Sequence, residues 1–355
     1  MKGKISKLKL YAYRKIHIYK NRRKEEKHQV NAIKRGNCLN KKGILHIAFL
    51  ITEFEQIVNA GDKYSAIGVG TWLAEKYDCV VSYYTRLPEY EWGNVSSSVD
   101  YVICMTPEVD VMYLKKKNIK VIAWIRGNTQ TWLKHLNMNL VDGIITSSKI
   151  VSDIIKKNSN KNNVLGIVNL GVPIDIQKEL KYEKIDYKNR EIDISFIGNL
   201  KGHNRDIVNN LDLTEDLNFK FYGNLGKNDK WNSFYCGPVQ HSKIIDIYSN
   251  SKIVIEDIAP RNRGTVNLRI FEAATCGALV ISNEDKSLLE LFDEDEIITY
   301  KDKDDLTYKI NYYLSHEEER ITKAEKLRDK VVRKYTFENE AGRFLNYINK
   351  LNCKN

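Results

Sequence analysis

Arg269 and Glu272 stand three residues apart inside an otherwise apolar segment, Leu268, Ile270, Phe271, Ala273 and Ala274. A helix there puts both charges on one face. An exposed pair of this kind would be a surface ion pair worth about half a kcal/mol. The apolar neighbours argue instead for a buried helix, where charges need partners. A carboxylate can accept two hydrogen bonds from the hydroxyls of a ribose, and a guanidinium can neutralise a diphosphate. A nucleotide-sugar carries both groups. Arg269 is accordingly a candidate catalytic residue, stabilising charge on a departing diphosphate, as well as a binding one.

Other candidates lie at strand-to-helix turns. Gly264 and Thr265 fall near the start of the same helix, where free N–H groups and the helix dipole attract phosphate, with Arg261, Arg263 and Asn267 as reinforcement. Gly198 and Asn199 follow an apolar run directly, so the backbone can approach a ligand, and Lys201 and Arg205 can then reach phosphate. Tyr222 and Gly223 repeat the pattern after the next run. An ordinary capped turn explains any one of these glycines; three in one half are harder to explain so.

The first half offers fewer groups. Asp62 follows Gly61 at the opening of a helix, where it serves either as a cap or as a general base facing a cleft. Arg126 and Asn128 follow a strand and stand on the acceptor side; a permanently charged Arg126 binds rather than abstracts protons. His135 and His203 read as structural. The acidic runs 293–296 and 302–305 read as solvated charge, and the six cysteines show no metal-ligand spacing, so no metal site is expected.

These positions need a scaffold. Apolar runs at 44–51, 79–85, 99–105, 119–125, 143–146 and 164–170 read as strands, with helical patterns at 64–77 and 147–157. The rhythm repeats at 192–197, 219–222, 253–258, 278–282 and 297–300, with helices at 242–249, 304–314, 317–334 and 337–351. Strands separated by helices form doubly wound parallel sheets, whose ligands sit outside the carboxyl ends of the strands. The expected fold is α/β, two Rossmann-like parallel-sheet domains facing across a cleft. The expected division is a basic arm at 1–40, an acceptor domain at 41–172, a linker at 173–190, a nucleotide-sugar domain at 191–336 and a helix at 337–355 that crosses back to the first domain.

The net charge of +11 belongs to one segment: residues 1–35 hold 13 Lys and Arg against Glu25 and Glu26, which leaves the remainder neutral. Ile5, Leu8, Ala12, Ile16 and Tyr19 recur at helical spacing in it, so the arm reads either as an anchor on an anionic membrane surface or as a solvated tail. Nucleic-acid binding is not expected, because no basic, aromatic-interleaved surface continues into the body. No apolar stretch reaches spanning length and no secretory core follows the basic start, which points to a cytoplasmic protein, peripheral at the inner membrane face if the arm is an anchor.

The segment from Asn267 to Val280, NLRIFEAATCGALV, resembles the N-x-R-x-F-E-A-x-A-C-G-A core of the spore maturation protein (CgeB-like) group of GT-B glycosyltransferases. The resemblance runs well over 190–350, including Tyr335, Thr336 and Phe337 before the last helix, and weakly over 44–170. It implies a glycosyltransferase without cofactor or essential metal, with the nucleotide-sugar donor in the second half. The acceptor, a saccharide, lipid-linked glycan or protein, would bind in the first half. By position, Glu272 would hold ribose, Arg269 the diphosphate side, and Gly198 with Asn199 the phosphate-facing loop. Related families carry a second glutamate eight residues earlier; here that position is Gly264. A nucleotide-sugar epimerase of the same fold and a non-catalytic nucleotide-sugar binder are the alternatives.

Overall fold

The computed structural model describes residues 44–52, 61–85, 92–158, 163–180, 184–200, 205–213, 217–226 and 230–352. The basic arm and the stretch 201–204, with Lys201 and His203, lie outside the described residues.

Six strands form the first sheet: β1 (His46–Leu50), β2 (Val80–Tyr84), β3 (Tyr101–Cys104), β4 (Lys120–Ile125), β5 (Gly143–Thr146) and β6 (Val164–Ile167). Their order is β2-β1-β3-β4-β5-β6 and every pairing is parallel. Six more form the second: β7 (Ile192–Ile197), β8 (Phe219–Tyr222), β9 (Tyr235–Gly237), β10 (Ser251–Glu256), β11 (Leu279–Asn283) and β12 (Ile298–Tyr300). Their order, β12-β11-β10-β7-β8-β9, is again all parallel. Continuous burial along β1, β3 and β11 explains why these strands read as unbroken apolar runs: helices cover both faces. In the second sheet the chain winds one way from β7 through β8 and the other way through β10. The crevice between β7 and β10 is therefore the place for a ligand.

The linker stretch contains a helix, Ile174–Leu180, that its polar composition hides. It ends on Arg190, whose buried guanidinium donates to the carbonyls of Tyr248, Ser251 and Cys276 and so fastens the chain to the second sheet. The last helix, Phe337–Asn352, packs on the first half. A Cβ at Gly68, in helix Gly61–Tyr77, would overlap the Phe337 ring, so the two helices touch only because that residue is glycine. Phe344 meets Phe49 and Trp124 of the first sheet, with ring centroids 5.9 and 5.2 Å apart. One apolar cluster thus runs from the first sheet through Phe337 to Phe271 of the second half.

The halves also touch across the cleft. Ser148 Oγ donates to Gly264 O at 2.6 Å, and Glu290 accepts from the Lys149 and Ile150 amides at the start of helix Lys149–Asn158, at 2.7 and 2.9 Å.

Candidate active site

β10 ends in two carboxylates buried to 1% exposure or less, Glu256 and Asp257. Helix Leu268–Thr275 starts beside them. Arg269 grips Glu256 with both arms of its fork, Nε to Oε2 and Nη2 to Oε1, each 2.6 Å. Asn267 Nδ2 donates to Oε1 at 2.7 Å. Burial alone would make the guanidinium easier to deprotonate, but the Glu256 charge outweighs this and holds it cationic. Arg269 Nη1 has no hydrogen-bond partner among the described residues and remains for a ligand.

Glu272 faces a different partner. Its Oε1 accepts from His241 Nε2 at 2.9 Å, while His241 Nδ1 donates to Asp175 at 3.1 Å. The imidazole lies flat on the Tyr64 ring of the first half, centroids 3.6 Å apart. Burial lowers the affinity of His241 for its proton, but the hydrogen bonds and charges of Asp175 and Glu272 win, and its pKa rises to about 9. Glu272 Oε2 has no protein partner among the described residues, which leaves one carboxylate oxygen for a ligand hydroxyl. Arg269 and Glu272 therefore do not pair with each other, although they are three residues apart: each has a partner on a different element.

The glycine loops close the crevice. Gly223 has φ +139°, and a Cβ on it would run into the Gly198 carbonyl oxygen, so the turns after β7 and β8 pack backbone to backbone. Asn199 Oδ1 accepts from Asn224 N at 3.1 Å. Tyr222 is half-buried, and burial with the neighbouring Cys236 pushes its phenol up to about 12. Arg205 is buried; its Nε donates to Asn199 O at 3.1 Å and its Nη1 to Asp257 O at 2.6 Å, which ties the β7 loop to the end of β10. Burial, with help from Glu256 and Asp206 and against the opposing Arg205, raises the Asp257 carboxyl to about 6.

Three expectations need correction. The Gly264 N–H is already taken by Asp285, at 3.2 Å to each oxygen, and the Thr265 amide and hydroxyl both donate to Asn262 O. Those amides are not free for phosphate, because Gly264 (φ +86°) turns the loop inward against Ile150. Arg263 points to the Glu284 carbonyl, Asp206 and Asp285, pinning the loop rather than lining the crevice. Asp62 sits within the first turn of its helix, not at the cap. Its Oδ2 accepts from Thr52 N at 2.6 Å and Thr52 Oγ1 at 2.8 Å, and Oδ1 accepts from the same hydroxyl at 3.0 Å.

On the acceptor side, Arg126 follows β4 and donates to Ser65 Oγ at 3.3 Å. Asn128 adopts φ 53° and accepts from Thr131 Oγ1. A Cβ on Gly127, between them, would lie 2.8 Å from Asn262 Oδ1, so this loop faces the second half directly. The acidic runs are spent on lysines and caps: Asp295 meets Lys326, Glu296 meets Lys330, and Asp302 caps helix Lys303–Ser315. Among the described residues no group of three His, Cys, Asp or Glu is arranged to hold a metal, and no helix is long and apolar enough to cross a membrane.

Glu256, Asp257, His241 and Asp175 are site residues that the sequence reading missed. Two carboxylates inside the apolar run 253–258 were the available signal for the first two. Nothing local marks His241.

Two parallel sheets facing across a cleft, with the crevice at the β7/β10 switch, define the GT-B fold. Residues 201–346 match the model of a family described as glycosyl transferase-like. No curated protein matches the chain significantly in sequence. Among solved structures it is similar to Anabaena HepE in complex with UDP-glucose, with 12% identity over 86% of this chain and 100% of that one, TM-score 0.66. A glycosyltransferase from Rickettsia africae ESF-5 is 14% identical over 87% of this chain and 98% of that one, TM-score 0.61. The sucrose-phosphate synthase of Thermosynechococcus elongatus is 12% identical over 88% and 100%, TM-score 0.61.

Proposed function

We propose that the chain is a glycosyltransferase of the CgeB-like group, moving a hexosyl unit from a nucleotide diphosphate donor to a saccharide, lipid-linked or protein acceptor in cell-surface glycan or glycoconjugate synthesis. The observation that carries this reading is the division of labour at the switch point. Glu256 locks Arg269 and His241 locks Glu272, each leaving one polar atom, Nη1 and Oε2, without a partner among the described residues. Oε2 suits a ribose hydroxyl; Nη1 suits the diphosphate. The family match over 201–346 covers this half. HepE was solved with UDP-glucose, and a TarM variant with UDP and alpha-GlcNAc-glycerol, which favours a UDP-sugar as the first donor to test.

In this reading the leaving diphosphate gains charge as the glycosidic bond to it breaks through an oxocarbenium-like state. Arg269 and Arg205 stabilise that charge; the Gly198 and Leu200 amides are already given to the Tyr222 and Asn224 carbonyls. The positive residues at the crevice supply this without a cofactor, and metal independence is part of the proposal: EDTA should leave the rate unchanged. If the reaction inverts, Asp62 is the base, since among the described residues Oδ1 has a single hydrogen bond and keeps a lone pair for a proton. The basic arm places the enzyme at the inner face of the membrane, and vesicles containing anionic lipid should bind the whole chain but not one lacking residues 1–35.

The test is a thermal-shift series with UDP-, GDP- and dTDP-sugars. A donor at 100 times its Kd should stabilise the fold by about 2.7 kcal/mol, and Glu272→Gln should weaken that donor roughly tenfold. Slow release of nucleotide diphosphate identifies a transferase, sugar isomerisation an epimerase, and neither a binder. If no nucleotide-sugar raises the melting temperature, the reading fails.

A further inference from the structure

Among the described residues the guanidiniums of Arg190, Arg205, Arg269 and Arg320 meet carbonyls or carboxylates, and that of Arg126, partly buried, does not. Arg190 donates to three carbonyls, Arg205 and Arg269 hold the β10 carboxylates, and Arg320 donates to Tyr313 O and Glu317. Arg126 donates to Ser65 Oγ at 3.3 Å, and its Nε is buried without any hydrogen-bond partner. Its guanidinium lies over the Trp124 ring, 5.9 Å from the centroid, and it makes no ion pair among the described residues. Asp62 is the acid that acts on its charge, but the Asp62 oxygens are held by Thr52.

Two further orphans stand beside it. Thr106 Oγ1 follows β3 and Ser147 Oγ follows β5; both atoms are buried and neither has a hydrogen-bond partner among the described residues. β3, β4 and β5 are neighbours in the sheet, and Ser147 N donates to Ile125 O, which puts residues 126 and 147 side by side. Three adjacent strands therefore each present one unsatisfied polar group at the ligand-binding end of the sheet. A partly desolvated cation that makes no ion pair gains stability when an anion arrives. The Ser147 hydroxyl, which donates as readily as it accepts, completes a receptor for negative oxygen beside it.

We propose that Arg126 and Ser147 form an oxyanion site, and that the acceptor carries the phosphate or carboxylate it binds. The assignment to the acceptor rests on the glycosyltransferase reading; the oxyanion site itself does not. The other source of such a group is the donor diphosphate, because the Gly127 loop borders Asn262 and Thr265 of the second half.

A matched series separates the sources. Glucose 6-phosphate, glucuronate and glucose are titrated by calorimetry into the whole chain, and UDP is titrated separately. The wild type should bind both anionic sugars at least about tenfold more tightly than glucose, a typical margin for a charge-assisted pair. Arg126→Gln should abolish that preference, Arg126→Lys should keep part of it, and Ser147→Ala should weaken it about threefold, as expected for one lost hydrogen bond. UDP affinity should stay the same in all four proteins. Equal binding of glucose and glucose 6-phosphate by the wild type overturns the site, as does an unchanged preference in the arginine variants. Loss of UDP affinity in Arg126→Gln, with the sugar preference intact, transfers the anion to the donor and overturns the acceptor assignment. Failure of UDP-, GDP- and dTDP-sugars alike to bind the wild type sinks the glycosyltransferase reading alone. If Arg126→Gln does not fold, Arg126→Lys and Ser147→Ala still decide the matter.

Discussion

The two halves build the same sheet and finish it differently. At the strand ends of the second half every charge is tied: Glu256 to Arg269 and Asn267, Asp257 to Arg205 and Asn283, Glu272 to His241. At the strand ends of the first half Arg126, Thr106 and Ser147 wait. The difference separates two ways of making a binding site. A network whose members fix one another is preorganised and holds its geometry with the crevice empty. A group left unsatisfied gives up stability and depends on the ligand for its partner.

The largest expected effect tests that contrast by its sign. Glu256→Gln keeps the shape but strips the countercharge from Arg269, and breaking a buried pair from one side costs about 3 to 5 kcal/mol. Arg126→Gln removes a charge that makes no ion pair among the described residues, so its stability should stay level or rise. Urea denaturation of the two variants reads both numbers. If both fall by similar amounts, the halves do not differ as described.

Next comes pH. The folded pKa of His241, about 9, lies above its ordinary value of 6.5, so the stabilisation it gives is complete below 6.5 and lost as pH rises through 9. The shift corresponds to about 3 kcal/mol at most. Denaturation midpoints of the wild type should decline across that window, and His241→Gln should flatten the slope. Because Tyr64 of the first half covers the imidazole, donor affinity should decline over the same window. A slope identical in the variant would remove His241 from the account.

What the sequence disclosed follows the same division. Strands of a doubly covered parallel sheet are apolar on both faces, so their runs were visible, while β9, three residues long and mostly exposed, was not. Arg269 and Glu272 were visible because charges inside an apolar helix are costly without a purpose. Their partners were not, because Glu256 lies 13 residues from Arg269 and His241 lies 31 from Glu272, brought together only by the crossover of strands. Gly264 misled for a related reason. A glycine before a helix announces a tight turn, but whether its amide faces a ligand depends on Asp285, 21 residues on. Arg126 could be located from sequence; that it makes no ion pair among the described residues is a fact about all its neighbours at once.

The smallest effect concerns the contact that brings the halves together. Glu290 stands on the second half, and its carboxylate accepts from two amides at the start of helix Lys149–Asn158 on the first. Such a carboxylate serves as a cap and meets the positive end of the helix dipole, a combination worth about 1 kcal/mol. In a single-domain protein Glu290→Ala would simply remove that stability. Here the cap spans the cleft, so its loss should favour separation of the halves, leaving each sheet intact. The melting temperature should hardly move, while the KM for a two-substrate reaction rises about three- to fivefold, matching that energy. A hydrolysis assay without acceptor separates the causes. If KM for donor is unchanged in both assays, the Glu290 contact is incidental to closure; if it rises in both, closure over the donor depends on this one carboxylate.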